Sequence, residues 1–334
     1  MFQSPSQSSR VSSSARAPRL WMIDLPVLVV AGIWGSSYLS VKTIATGQTV
    51  VPLLVLRFTV ALLPMALLVA GRLRRLTWRE VRGGALLGLI LGTIFLVETV
   101  GVVHTSATNA GLIISLTMVF TPIAESLLAR TRPSAAFVAA ATLSVVGVAL
   151  LTQGAGFKRP GLGDLLVFLV AIIRAFHVVV MHRMKSVRTT ESGALTFVQL
   201  ATCLLMFLLI SPFSGPAPWR LAASFDGGQW LDLLYLGLMC TVFAFFVQMW
   251  AVRRTSPSRV SLLLGTEPLW AAVIGVGIGG DKLGMLGAVG AVLVLVGTTW
   301  GRTAAGRGPE AAPDVNVDAD GSATVSPEPI NADI

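Results

Sequence analysis

Ten runs of about twenty apolar residues fill the chain between residues 21 and 301, the pattern of a polypeptide whose solvent is lipid. They fall at about 21–42, 50–71, 83–104, 107–129, 133–152, 163–183, 192–213, 229–252, 257–279 and 283–301. A helix rising ~1.5 Å per residue needs roughly 20 residues to cross the hydrocarbon core. Of the 334 residues, 54% are hydrophobic and 12% charged, with a mean hydropathy of +0.78. A soluble protein carries about a quarter charged residues. Too few polar side chains remain here to cover a water-facing surface. The gaps at 104–107 and 252–257 are short enough to make helical hairpins of the runs they join.

The flanks differ in character. Residues 1–20 are rich in Ser and Arg and have no apolar core, so no cleavable secretory signal is expected and a disordered cytoplasmic tail is preferred to an organelle transit peptide. Residues 302–334 hold six acids against two arginines, amid Ala, Pro, Gly and Asp, and are expected to stay disordered too. The chain has 25 basic and 16 acidic residues; without those in 302–334, 23 and 10 remain. With the N-terminus in the cytoplasm, 18 basic residues fall inside and five outside (Lys42, Lys158, Arg159, Arg220 and Lys282). The excess is a topology signal that predicts cytoplasmic termini and an even number of crossings, not a nucleic-acid partner. Cys203 and Cys240 lie within apolar runs and read as small core residues.

HTSATNAGLIISLTMVF, residues 104–120, is echoed 150 residues later. Thr105 meets Thr255, Ser106 meets Ser256, Leu112 meets Leu262, and the register persists to Val146 with Val296 and Gly147 with Gly297. A register of 140 aligns DLPVLVVAGI (24–33) with DLLVFLVAII (164–173). The ten extra residues fit the loop 211–228. Five crossings per half is an odd number, so the second half enters the membrane from the opposite side. The expected architecture is an all-α integral membrane protein of ten transmembrane helices in two inverted five-helix repeats, 21–152 and 153–301, a transporter arrangement with its site near the midplane.

Trp34-Gly35-Ser36-Ser37-Tyr38 with Lys42, then Arg57-Phe58, Thr105-Ser106-Ala107, Thr255-Ser256-Pro257, Glu267-Pro268, and Gly287 with Gly297 stand in the order and spacing of a known family. The chain resembles the EamA-type members of the drug/metabolite transporter superfamily over nearly everything between the tails. The resemblance implies ten helices as five plus five, and export or uptake of small polar metabolites, amino acids or drugs. Three positions depart from the family pattern: Met118 where proline is common, Asp281 in place of glutamate, and Arg174 where Trp is frequent.

Polar groups at membrane depth are expensive and mark function. Arg57 lies ~10 Å and Glu98 ~9 Å from the external face, so an ion pair serving as an external gate is expected. Arg174 and Glu267 lie ~15 Å from either side. An isolated ion there costs at least roughly 2.5–3.5 kcal/mol, so both should face a cavity or each other. Arg174 is assigned to an anionic or zwitterionic substrate group, with Trp34, Tyr38, His177 and Trp270 beside it as substrate-binding residues. Pro268 is expected to bend the ninth helix, leaving Glu267 to carry a coupling proton. Gly84, Gly88 and Gly92, four apart, read as a helix-packing stripe.

No HExxH, GxSxG or phosphate-cradling lysine loop occurs, so no catalytic residue, metal or cofactor is assigned and an enzyme is not expected. The reading is a secondary active transporter of a bacterial cytoplasmic membrane, a proton-coupled exporter by preference. Its partners are a small-molecule substrate, the bilayer and, compatibly, a second copy in a homodimer. The alternatives are a passive channel or facilitator and, further off, a membrane-embedded enzyme.

Overall fold

The computed structural model describes residues 21–130, 132, 134–151, 160–184, 190–254, 260, 263–305, 315–317 and 323–325. Thr255-Ser256-Pro257, most of both tails and the loop 152–159 lie outside the described residues. α1 (Trp21–Ile44) and α2 (Val50–Leu73) are joined by a tight turn. α3 (Trp78–Val103) starts five residues before its apolar run because Thr77 and Glu80 form a capping box, the Glu80 carboxylate accepting from the Thr77 N–H at 2.8 Å. α4 (Ala107–Ile114) is capped by Ser106, whose Oγ accepts from the Asn109 N–H at 2.9 Å. α5 (Thr117–Ala129), α6 (Ala135–Leu151), α7 (Leu162–Arg183) and α8 (Ser192–Ile210) follow. Next come α9 (Pro218–Ser224), α10 (Gly227–Leu234), a π-helical segment Tyr235–Phe243 and α11 (Ala244–Arg254). α12 (Glu267–Gly277) and α13 (Met285–Ala305) complete the bundle. Two three-residue strands, β1 (Val315–Val317) and β2 (Ala323–Val325), pair antiparallel in the C-terminal segment expected to lack structure.

Among the described residues, seven helical segments are long and apolar enough to cross a membrane, and three shorter apolar helices, Ala135–Leu151, Glu267–Gly277 and Met285–Gly301, lie in the fifth, ninth and tenth runs. The tenth helix overruns its expected end at 301 by four residues. Ala304 there is buried against Val119 and Phe137, so packing extends the helix past the membrane-length limit.

The fourth and ninth helices are both interrupted. α4 stops and α5 starts across Ser115-Leu116, and a turn at Gly265-Thr266 precedes α12. These sites are 150 residues apart. Pro268 does not kink a continuous helix: it sits in the first turn of α12, where its missing N–H has no helical partner to lose. Side-chain hydroxyls compete with the backbone at both breaks. Ser115 donates to the Leu112 carbonyl at 2.6 Å, Thr117 to Ile114 at 2.7 Å and Thr266 to Leu263 at 2.7 Å.

Helix packing repeats between the halves. α6 lies along α13, and a Cβ at Gly147 would come within 2.7 Å of the Val294 nitrogen and 2.9 Å of the Gly290 oxygen. A Cβ at Gly297 would come within 2.8 Å of the Ser144 nitrogen and 2.9 Å of the Ala140 oxygen. Adding 150 to Ala140 and Ser144 gives Gly290 and Val294, so one contact is the other with the halves exchanged. The Gly84, Gly88 and Gly92 stripe packs α3 on Val198, Thr202 and Met206 of α8.

The two ends of the bundle are packed differently. The end holding the α1–α2 turn, here the loop side, carries the largest core, which joins Val41, Leu53, Val102, Val148, Val167, Leu233 and Val294 from seven helical segments, with a second cluster of Val50, Leu54, Phe58 and Phe207 beside it. At the end holding the first turn of α1, the terminal side, the core divides. Ile23, Val27 and Ala251 form one cluster, Leu87 with Leu195 a second, and Val119 with Phe137 a third. The inserted residues are folded into the loop side: Leu221 of α9 is buried in the same core as Leu53 and Leu233.

Candidate functional site

Tyr38 is buried on α1 and donates from its hydroxyl to Glu267 Oε1 at 2.8 Å. Glu267 is the first residue of α12, where unpaired N–H groups and the positive end of the half-helix favour a carboxylate. The helices come close enough for this bond because Gly35 has no side chain. A Cβ there would lie 2.7 Å from the Trp270 Cβ, 2.8 Å from the Ala271 nitrogen and 2.9 Å from the Glu267 carbonyl oxygen. Hydrogen bonds to charged groups contribute about 1.5–3 kcal/mol. Tyr38→Phe should therefore slow transport about tenfold or more in a flux assay and lower thermal stability by about 1–3 kcal/mol, because the buried Glu267 carboxylate loses a donor while the ring still packs.

Arg174 on α7 lies in the electrostatic field of Glu98 on α3 and of Glu267, and makes a side-chain contact with Tyr38. Arg57 on α2 feels Glu98 and Arg174 in turn. Glu267, Glu98 and Arg174 thus act on Tyr38 from three elements, and Arg57 joins them through Glu98 and Arg174 from a fourth. Arg72–Glu191, 2.7 Å apart and away from this cluster, is the one ion pair within 4 Å among the described residues. Among the described residues, none of the four central charges is in an ion pair at that range.

The expected Arg57–Glu98 ion pair is not formed. Phe95, one turn before Glu98, takes the guanidinium face instead, with Arg57 Cζ 5.0 Å from its ring centroid. Arg57 Nη2 reaches Thr241 Oγ1 at 3.5 Å, and its buried Nε has no hydrogen-bond partner. Trp34 is committed to structure: its indole donates to the Cys240 carbonyl at 2.9 Å and its ring meets Phe245 edge-on. His177 is buried in the field of Arg174, one turn before it on the same helix, and beside Gln199 and the Leu87 backbone, with Nε2 unpartnered. Trp270 points outward with Leu269 and Val273, all three exposed, its ring edge over Gly32. The structure therefore gathers Tyr38, Glu267, Arg174, Glu98 and Arg57, keeps His177 within the field of Arg174, and turns Trp34 and Trp270 to other surroundings.

Sequence reasoning missed the π-helical segment and what it holds. Tyr235 OH donates to the Ile33 carbonyl at 3.2 Å and shares a 2.5 Å hydrogen bond with Ser36. Thr241 Oγ1 donates to the Leu236 carbonyl at 2.9 Å. No periodicity in residues 235–243 announces the extra residue per turn; their hydroxyls among apolar neighbours are the one available sign.

Lipid-length helices, two of them interrupted, enclosing charged groups at mid-depth define a polytopic membrane transporter. The chain belongs to the EamA-like transporter family, which matches residues 21–153 and again 161–300. A protein of Archaeoglobus fulgidus named only as an uncharacterized transporter is 26% identical over 273 residues, covering 82% of this chain and 83% of its own. A second so named from the same organism is 24% identical over 225 residues, covering 66% and 74%. A solved crystal structure superposes with a TM-score of 0.57 at 18% identity, over 86% of this chain and 97% of that one, a likeness of fold alone.

Proposed function

We propose that this protein is a secondary active transporter that moves a small polar metabolite, amino acid or drug by alternating access, as a proton-coupled exporter. The observation that carries the reading is the Tyr38–Glu267 bond at the interruption of the ninth helix, with Arg174 and Glu98 in reach and unpaired. The exchangeable α6–α13 contacts, the breaks 150 residues apart and the twofold family match support ten helices in two inverted repeats rocking about this cluster. In this arrangement the basic-residue bias puts both termini in the cytoplasm of a bacterial cell, and the terminal side is the cytoplasmic mouth. Glu267 carries the proton, Arg174 holds an anionic or zwitterionic group of the cargo, and Arg57 with Glu98 lines the route.

Purified protein in proteoliposomes tests this directly. Flux that saturates with substrate and responds to a pH gradient is the expected result; linear flux indifferent to the gradient would identify a channel. Arg174→Ala should lower flux of anionic or zwitterionic substrates at least about tenfold, the effect of losing one bidentate charged contact, and spare neutral ones. An unchanged substrate profile would remove Arg174 from the binding role.

A further inference from the structure

The largest core lies at the loop side and smaller clusters at the terminal side, which raises the question of what keeps the packed end shut. Lys42 is in the last turn of α1 and half-buried. Its Nζ donates to the Val102 carbonyl at 3.4 Å and to the Thr105 carbonyl. Val102 is in the last turn of α3, where its carbonyl also accepts from the Thr105 N–H at 3.4 Å, and Thr105 follows two residues after the helix, so the negative end of the helix dipole attracts the ammonium.

The surface that Lys42 grips is rigid. Thr105 Oγ1 donates to Asp164 Oδ1 on α7, and Asn109 Nδ2 donates to the same oxygen at 3.2 Å. Asp164 Oδ2 accepts from the Gly161 N–H at 2.9 Å. α3 and α7 meet backbone to backbone there, since a Cβ on Gly163 would lie 2.6 Å from the Gly101 oxygen. The end of α3, the start of α4 and the start of α7 therefore form one block, and Lys42 fastens α1 to it. With the halves exchanged, Thr105 would correspond to Thr255, which lies outside the described residues, so the joint is described on the loop side.

We propose that Lys42 is the loop-side latch of the transport cycle. Clamped on the Val102 and Thr105 carbonyls it holds that mouth closed, and it must release them before the opposite state can form. The proposal rests on the alternating-access reading above.

Thiol labelling of purified protein in nanodiscs tests it. The background replaces the two buried free cysteines, as Cys203→Ala and Cys240→Ser. Val41→Cys reports the loop side, where Val41 is 6% exposed, and Met181→Cys reports the terminal side at the position 140 residues later. Lys42→Met keeps the aliphatic stem and removes charge and donors. It should raise maleimide labelling at Val41→Cys at least about fivefold, the ratio set by one net hydrogen bond, and lower labelling at Met181→Cys. Unchanged rates at both positions overturn the latch. A rise at both also overturns it, because loosened packing opens both sides together. Alternating access is judged separately, with Lys42 in place: in proteoliposomes the two rates must move in opposite directions when the pH gradient is reversed. If they stay fixed, that reading fails, whatever Lys42→Met does.

Discussion

Replacing Glu267 by glutamine is expected to reduce pH-gradient-driven transport in proteoliposomes to the background of empty vesicles, a loss of more than about tenfold. Substrate binding, followed by ligand-dependent thermal shift, should remain measurable. The carboxamide has the shape of the carboxyl and its oxygen still accepts from the Tyr38 hydroxyl, so the α1–α12 contact survives. What it cannot do is take up and release a proton. Gradient-driven transport equal to wild type in this variant would dismiss Glu267 as the coupling group, while leaving the fold and the family untouched.

The second large effect is on the fold. Gly147→Leu should cost about 3 kcal/mol or more and abolish the monodisperse peak in size-exclusion chromatography after detergent extraction. A Cβ alone at this position would meet Val294, Gly290 and Leu293 backbone and side-chain atoms at 2.7–2.9 Å, and helix backbones cannot retreat one by one. Gly297→Leu, which occupies the exchanged contact with Ala140 and Ser144, should fail comparably. Gly71 on α2 has nothing within 4 Å of where its Cβ would be, so Gly71→Ala should be tolerated and gain up to about 1 kcal/mol of helix propensity. Similar tolerance at all three positions would contradict the α6–α13 interface.

Lipid-length helices and packing glycines were legible in the sequence because both are written in composition and period. Among the described residues the apolar runs coincide with seven membrane-length helices and three shorter apolar ones, and the four-residue spacing of Gly84, Gly88 and Gly92 marked the face that meets α8. Counting along the helices also set Arg57, Glu98, Arg174 and Glu267 near one another in level, in keeping with their mutual electrostatic influence. Azimuth was not legible. Trp34, Tyr38 and Trp270 all sit close to the α1–α12 crossing, yet only Tyr38 reaches Glu267, because the approach at Gly35 fixes which side of each helix turns inward. The Arg57–Glu98 ion pair failed for a related reason: equal depth says nothing of the aromatic ring that fills the space between. The break at Ser115-Leu116 carries no proline, so only hydroxyl bonding to the preceding carbonyls explains it, and Ser and Thr are too common in membrane helices to serve as a warning.

The segment from Ser211 to Asp226 looks, by length, like spare tether between two helices, and a protein engineer would choose it first for an epitope tag. Its Leu221 is sunk beside Leu53 and Leu233, and Gly215, at φ +77, lets the chain press against the Gln48 carbonyl. An insertion there would pry a plug from the bundle, so a handle for purification or imaging belongs on the terminal tails instead.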